Sequence, residues 1–463
     1  LEGLEVKEVL FSEIILDNEK FRIDDEFFMK EYISAYRKIK SIPNIVLKDE
    51  ISVLTDFHAN GSYEAISEVF ELLDEPNFAY MVRTTDLETN NFSDNVKYIT
   101  KKAYNFLSKS QVFGGELLIN KIGTPGKSYL MPYLNRPTSL GMNLFLIRTN
   151  ENSCINEKFL YIYFNTNFGL KIINRKINGT VPLTIDKAAI RSLYVPKFES
   201  DLIYEISSLV DKVFDLELEA KSMYRQAELL LLDTLKLKDF NPPSQTINIK
   251  SFSNSFCTSG RLDAEFYQEK YEGYLKKIQA YPYGCEPIRT ACKLKDANYT
   301  PKDNQTYQYI ELSNIGNLGE ITGASLDLGC NLPSRARRKV SKNDVIVSSV
   351  EGSLASCAIV SEQYHQALCS TGFYVVSSEK INSETLLILF KSEPIQQLLK
   401  QGCSGTILTA INKDEFLNIP LPLVDANIQT QIADLIRQSD HLRQESQALL
   451  EEAKRKVEQA IEG

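Results

Sequence analysis

An ordered internal repeat constrains this chain more than any other feature. Arg22-Ile23-Asp24-Asp25-Glu26-Phe27-Phe28 recurs as Arg261-Leu262-Asp263-Ala264-Glu265-Phe266-Tyr267. An apolar run opened by an acid, Glu116-Leu117-Leu118-Ile119-Asn120, recurs as Asp344-Val345-Ile346-Val347-Ser348. Gly179-Thr180-Val181, running on to Val195-Pro196, recurs without a gap 226 residues later as Gly405-Thr406-Ile407, running on to Leu421-Pro422. Inside that block Ile185 answers Ile411, Lys187 answers Lys413 and Leu193 answers Ile419. Three anchors kept in order mean one unit used twice, and 463 residues exceed what a single core ordinarily serves.

Each copy runs on into a long amphipathic helix. In the first, Leu202, Ile206, Leu209, Val213, Leu216, Ala220, Met223, Ala227 and Leu230 alternate steps of four and three, the seam of a coiled coil. In the second, Ile428, Ile432, Leu435, Leu442, Leu449 and Ala453 take the matching positions, with Ser439 and Ser446 as interruptions. Helices of roughly 35 to 40 residues span roughly 50 to 60 Å, more than a single domain needs. Asn241-Pro242-Pro243-Ser244-Gln245 stops the first, because proline cannot continue a helix. In the globular parts, runs such as Phe145-Leu146-Ile147 and Phe373-Tyr374-Val375-Val376 alternate with Gly, Asn, Ser and Pro clusters, which predicts sheet. Helical stretches near Phe27 to Lys38 and Phe266 to Gln279 precede them. The expected class is α+β: two pseudo-repeated globular domains with twisted sheets and two long helices. The expected divisions are 1–198, 199–240 (helix), 241–424 (linker and second domain) and 425–463 (helix).

Glu2, Glu5, Lys7, Glu8, Glu13 and Asp17 leave no apolar core for a secretory signal, and no stretch approaches the about 20 apolar residues of a membrane span. A cytoplasmic protein without a membrane partner is expected. Cys154, Cys257, Cys285, Cys292, Cys330, Cys357, Cys369 and Cys403 form no Cys-x-x-Cys pair, and His58, His365 and His441 are not at metal-ligand spacing beside them, so buried free thiols are expected.

The net charge is −9, yet its distribution is uneven. Between Lys97 and Arg148 there are eight Lys or Arg against one acid, and Arg335, Arg337, Arg338, Lys339 and Lys342 crowd into Pro333 to Asn343 with none. The first helix region, Glu199 to Asp239, holds ten acids and five bases. Local positive charge is what phosphate neutralisation requires, and it lies in the globular parts.

Motifs of catalysis fail on inspection. Gly123-Thr124-Pro125-Gly126-Lys127-Ser128 ends like a phosphate-binding loop, but Lys121 stands where its first glycine belongs, and Pro132 follows too soon for the helix such a loop must open. A turn between two strands is expected there, with Lys127 free to meet a DNA phosphate. Asn241-Pro242-Pro243-Ser244 resembles the Asn-Pro-Pro-aromatic motif of amino-methyltransferases, but Ser244 has no ring to stack on a base. The sequence shows no nucleophile elbow, zinc-protease pair or nuclease cluster. A binding protein without a cofactor, not an enzyme, is expected.

The repeated Arg-(Ile/Leu)-Asp-x-Glu-Phe, the Gly-Thr turn leading to a Pro-ended strand, and the helix after each copy together resemble the specificity subunit of Type I restriction-modification systems. Gly405-Thr406 through Pro422 with the Gln429 to Val457 helix, and the block after Gly179-Thr180, are the most specific parts. Tyr80-Met81-Val82-Arg83-Thr84-Thr85-Asp86 and Tyr309-Ile310-Glu311-Leu312-Ser313-Asn314 resemble the strand-to-loop element of its reading domains, although the second copy lacks the Arg. The resemblance implies two target-recognition domains that each read half of a split double-stranded DNA target. It implies helices paired as an antiparallel coiled coil that holds the domains apart, methyltransferase (modification) subunits docked around them, and an ATP-dependent restriction subunit as a further partner.

Base edges are read by Arg, Lys, Asn, Gln, Ser and Thr, while basic groups on phosphates fix the register. Candidates in the first copy are Arg83, Thr84, Lys121, Lys127, Asn135, Arg136 and Asn178. In the second they are Ser313, Asn314, Arg335, Arg337, Arg338, Lys339 and Thr406. Asn178 and Thr180 are also ordinary turn formers. A complete methyltransferase would need a methyl-donor site, and the remaining alternative is a protein-binding adaptor with a coiled-coil spacer.

Overall fold

The computed structural model describes residues 10, 18, 20–93, 95–243, 245, 247–405 and 409–463. Thr406, Ile407, Ser244 and the charged residues of positions 1–17 lie outside the described residues. The chain divides into two compact units, residues 1–216 with 445–463, and residues 217–444.

In the first unit the strands are β1 (Asn44–Val46), β2 (Ile51–Asp56), β3 (Ala79–Val82), β4 (Lys97–Ile99), β5 (Leu117–Asn120), β6 (Ser128–Leu130), β7 (Thr138–Leu140), β8 (Leu144–Thr149) and β9 (Tyr194–Pro196). One antiparallel sheet has the order β2-β8-β5-β6, a second the order β4-β3-β7 with β3 and β7 parallel, and β1 pairs with β9. Residues 121–127 are the turn between β5 and β6, as the sequence suggests. Strand β5 is buried on both faces. Leu117 and Ile119 join a helical core with Phe159, Ile206 and Ala453, while Leu118 turns to a second core with Val82, Tyr129 and Leu140. Alternation sends successive side chains to opposite faces, so a continuous apolar run suits a strand between two layers. Glu116 closes the turn into β5 by accepting the Phe113 and Gly114 N–H groups at 2.9 and 2.8 Å.

The second unit repeats the plan. Its strands are β10 (Cys285–Pro287), β11 (Lys293–Leu294), β12 (Thr306–Ile310), β13 (Ser325–Leu328), β14 (Ala336–Lys339), β15 (Val345–Ser348), β16 (Cys357–Ile359), β17 (Leu368–Ser370), β18 (Phe373–Ser377), β19 (Cys403–Ser404), β20 (Ala410–Ile411) and β21 (Pro420–Pro422). The order β11-β18-β15-β16 reproduces the first sheet, β12 and β17 are again parallel, and β10 pairs with β21 as β1 does with β9. Strand β14, whose counterpart in the first unit is the single Gln111–Ser139 bridge, lies at the edge of the sheet β13-β12-β17-β14 and carries most of the arginine cluster. Val345 and Val347 face one core and Ile346 the other, as in β5.

The repeated motifs are fasteners. Arg22 grips both oxygens of Asp24 at 2.6 and 2.7 Å and donates to the Ile177 carbonyl at 2.6 Å. Arg261 grips Asp263 at 2.6 and 2.8 Å and donates to the Cys403 carbonyl at 2.9 Å. Each clip ties the start of its copy to the chain just before Gly179 or Gly405. Further on, Asp186 and Asn412 cap the helices Lys187–Arg191 and Lys413–Asn418, accepting the Ala189 and Glu415 N–H groups.

The long helices run Ser200–Thr234 and Ala426–Glu462, and they pair within each unit. In the first unit Lys456 meets Glu205 at 2.8 Å and Ser446 donates to the Val213 carbonyl at 3.4 Å, so the segments are antiparallel. In the second unit, seven residues further along one helix and seven back along the other, Ser439 donates to the Ala220 carbonyl at 2.8 Å. The same step sets Ile206 against Ala453 and Ala227 against Ile432, and all four are fully buried. This corrects the expectation that the serines interrupt the seam. They lie in it, because a hydroxyl reaches a facing carbonyl only where two backbones come close, and a larger side chain would hold them apart. Leu202, Leu209, Leu216, Ile428, Leu435, Leu442 and Leu449 flank that line and are half-buried.

The cysteines correct another expectation. Cys357, Cys369 and Cys403 are buried, but Cys154, Cys257 and Cys330 are exposed, lying in turns or a single-turn helix that cover no core. Among the described residues, no helix is long and apolar enough to cross a membrane.

Candidate nucleic-acid interface

In the first unit the loops after β3 and β5 and the turn after Gly179 come together. Thr84 and Asn120 approach at 3.4 Å, Lys127 meets Glu88 at 3.2 Å, and Ile122 bridges Thr184. Arg83 is committed locally, gripping buried Asp86 at 2.6 and 3.1 Å and donating to the Asn95 carbonyl at 2.8 Å. Asn178 pairs with Thr184 through backbone and side chain, as a turn former does. Asn135 and Arg136 stand elsewhere, in the bend before β7, where the exposed Arg136 guanidinium stacks 3.5 Å from the Tyr80 ring centroid. Such stacking fixes the plane of an arginine and leaves its outer edge free to hydrogen bond.

Lys121 is one of two lysines paired with a buried carboxylate rather than an open cation. The Asp56 carboxylate, 5% exposed, receives Lys121 at 2.9 Å and Lys187 at 2.5 Å. Burial pushes the Asp56 carboxyl up, but the two ammonium groups outweigh it and hold the pKa below the usual value. The second unit keeps half of this device: Asp296, at the matching end of the first sheet, pairs with Lys413, the counterpart of Lys187. Neither acid stood out in the sequence. The lysines repeat at a spacing of 226 and the acids at 240, so only the lysines fall inside an ungapped match.

In the second unit Glu311 occupies the place of Arg83, and the local bond survives the exchange. The Asn314 side chain accepts the Glu311 N–H at 2.8 Å, as Asp86 accepts that of Arg83 at 2.7 Å. Glu311 also lies 3.8 Å from Arg335, which is 60% exposed, and Ser313 is exposed beside it. Along β14, Arg337 donates to the Ser334 carbonyl at 2.9 Å, while Arg338 holds the Asn298 side chain at 2.9 Å and the Asp296 carbonyl. Lys339 lies over Tyr299 at 4.9 Å. Arg335 and Lys339 thus keep their charge in solvent, and Arg337 and Arg338 organise the neighbouring loop.

The two units therefore share one framework and dress it differently, one with a stacked arginine and a lysine turn, the other with a basic edge strand. Residues 287–455, which take in most of the second copy and its helix, match the Type I restriction modification DNA specificity domain. The first unit repeats the same strand order around the same clip and turn. The second copy and its helix thus carry a Type I restriction modification DNA specificity domain. Domains of that family are DNA specificity domains of Type I restriction-modification systems. Among curated proteins none matches the chain. The S subunit of a Type I restriction-modification system from M. genitalium is similar at 11% identity and TM-score 0.40, over 89% of this chain and 95% of its own. The HsdS subunit from Thermoanaerobacter tengcongensis is similar at 13% identity and TM-score 0.27, over 89% and 96%.

Proposed function

We propose that each half of the subunit reads one half of a bipartite double-stranded DNA target in the cytoplasm. The paired helices set the distance between half-sites and dock the methyltransferase subunits, and an ATP-dependent restriction subunit joins that complex. One observation carries the reading: the framework is the same in both units while the cationic and polar residues on it differ, as expected of two readers with one construction and two sequences. Exposed Arg136, Lys127, Arg335 and Lys339 are of the kind that meets phosphates or guanine edges. Maps of methylated bases in cells with and without the gene test it. The expected result is loss of methylation at one split motif with a fixed gap. A continuous motif, or no change, would refute bipartite reading. An adaptor that binds protein alone would show no salt-dependent affinity for any duplex.

A further inference from the structure

Between β12 and β13 the second unit carries a tight hairpin that reaches from the candidate reading residues to the C-terminal helix. Its base is Asn314, whose carbonyl accepts both the N–H and the hydroxyl of Thr322, at 2.8 and 3.1 Å. Ile315 bridges Ile321, and Gly316 donates to the Glu320 carbonyl at 2.9 Å. At the tip the Glu320 side chain folds back to accept the Leu318 N–H at 2.9 Å, across Gly316, where a Cβ would overlap the carboxyl group. That carboxylate receives Arg443 of the C-terminal helix at 3.0 Å. Asp440 pairs with the same guanidinium, and Lys221 of the first long helix feels the Glu320 charge. Both partners are largely shielded, at 20% and 24% exposure.

We propose that Arg443 is a positioning residue for DNA reading by the second half: through Glu320 it fixes the Asn314–Thr322 hairpin, whose base sets Ser313, Asn314 and the Glu311–Arg335 pair. The inference rests on the bipartite reading proposed above. A short hairpin closed at both ends transmits a displacement of its tip to its base, and Asn314 holds the Glu311 N–H directly. In the first unit the segment after β3 is instead the helix Thr84–Glu88, which leans on Asn120 and Lys127. The effect of Arg443 therefore falls on one half-site.

The test uses the full chain with its modification subunits and duplexes altered singly in either half of the mapped target. Arg443→Met and Glu320→Gln should each lower discrimination in the second half by about tenfold and leave the first half within about twofold, and the double variant should be no worse than either single one. Arg443→Lys, which keeps the charge, should recover most of the loss. Equal losses in both halves, additive single effects, or unchanged second-half discrimination would each overturn the proposal. Should Arg443→Met fail to fold, Glu320→Gln, which removes only a charge at a loop tip, makes the same comparison. A wild-type complex that favours no bipartite sequence would instead bring down the bipartite reading, and this inference with it.

Discussion

Ser439 donates its hydroxyl to the carbonyl of Ala220 on the facing helix at 2.8 Å. Both side chains are fully buried, and Ser446 repeats the arrangement against Val213 one heptad away. In each unit, then, a small residue of the C-terminal helix meets the backbone of the facing helix. Ser439→Leu, which would improve the seam by pattern alone, should destabilise the protein by about 1 to 3 kcal/mol through overpacking. Ser439→Ala should cost only about 0.5 to 1.5 kcal/mol, the net value of one hydrogen bond. Denaturant midpoints decide it: a stabilised Ser439→Leu variant would show that the helices have room to spare.

A second expectation concerns acid. Asp56 is held below the usual aspartate value of 3.8, so its folded-state pKa lies below its unfolded one. Its contribution to stability is then fully present above that ordinary value and is lost as pH falls through the lower folded one. Asp56→Asn should lower stability at neutral pH by about 2 to 3 kcal/mol, somewhat less than for a fully buried pair, because Lys121 and Lys187 keep part of their solvent. It should also flatten the acid limb of a stability profile as pH falls below the ordinary aspartate value, where wild type falls more steeply. Parallel acid limbs for variant and wild type would remove Asp56 from the account.

The arginine clips give a third. Arg261 donates to both oxygens of Asp263 and to the Cys403 carbonyl, which needs the planar fork of a guanidinium. Arg261→Lys should therefore behave as a disruptive change, costing about 1 to 3 kcal/mol, although the charge is kept. Arg22→Lys should do the same in the first unit. Unchanged midpoints for both would mean that the clips are incidental to the fold.

What the sequence could disclose depended on how far apart the interacting residues lie. The repeat, the helices and the β5 and β15 strands follow local patterns, and each is where its pattern puts it. Large side chains mark a seam in the sequence, whereas Ser439 and Ser446 act through smallness, which an apolar pattern does not register. The basic residues were legible as a population but not individually. Asp56 lies 65 residues from Lys121 and 131 from Lys187, and nothing local to either lysine announces that it is spoken for. Arg83 is different. Its partner Asp86 was three residues away, and a capping interaction at that spacing was open to view.

The last prediction separates contact from support within β14. Arg335 is 60% exposed and only loosely paired, at 3.8 Å, with Glu311, whereas Arg338 is bonded to Asn298 and to the backbone of Asp296. A residue that meets a phosphate releases counterions when it binds, so its loss lowers the slope of log affinity against log salt by about 0.9 per contact. Arg335→Gln should do that, weakening the second half-site with little change in melting temperature. Arg338→Gln should act in the other way: it frees the 296–300 loop, lowers the melting temperature and leaves the salt slope near that of wild type. The first half-site, which the proposed reading assigns to the other unit, should keep its discrimination in both variants. Binding isotherms for the assembled complex at several salt concentrations, on duplexes altered in one half at a time, distinguish the two roles. A reduced slope for Arg338→Gln with an unchanged melting temperature would reverse the assignment and make Arg338 a contact to DNA.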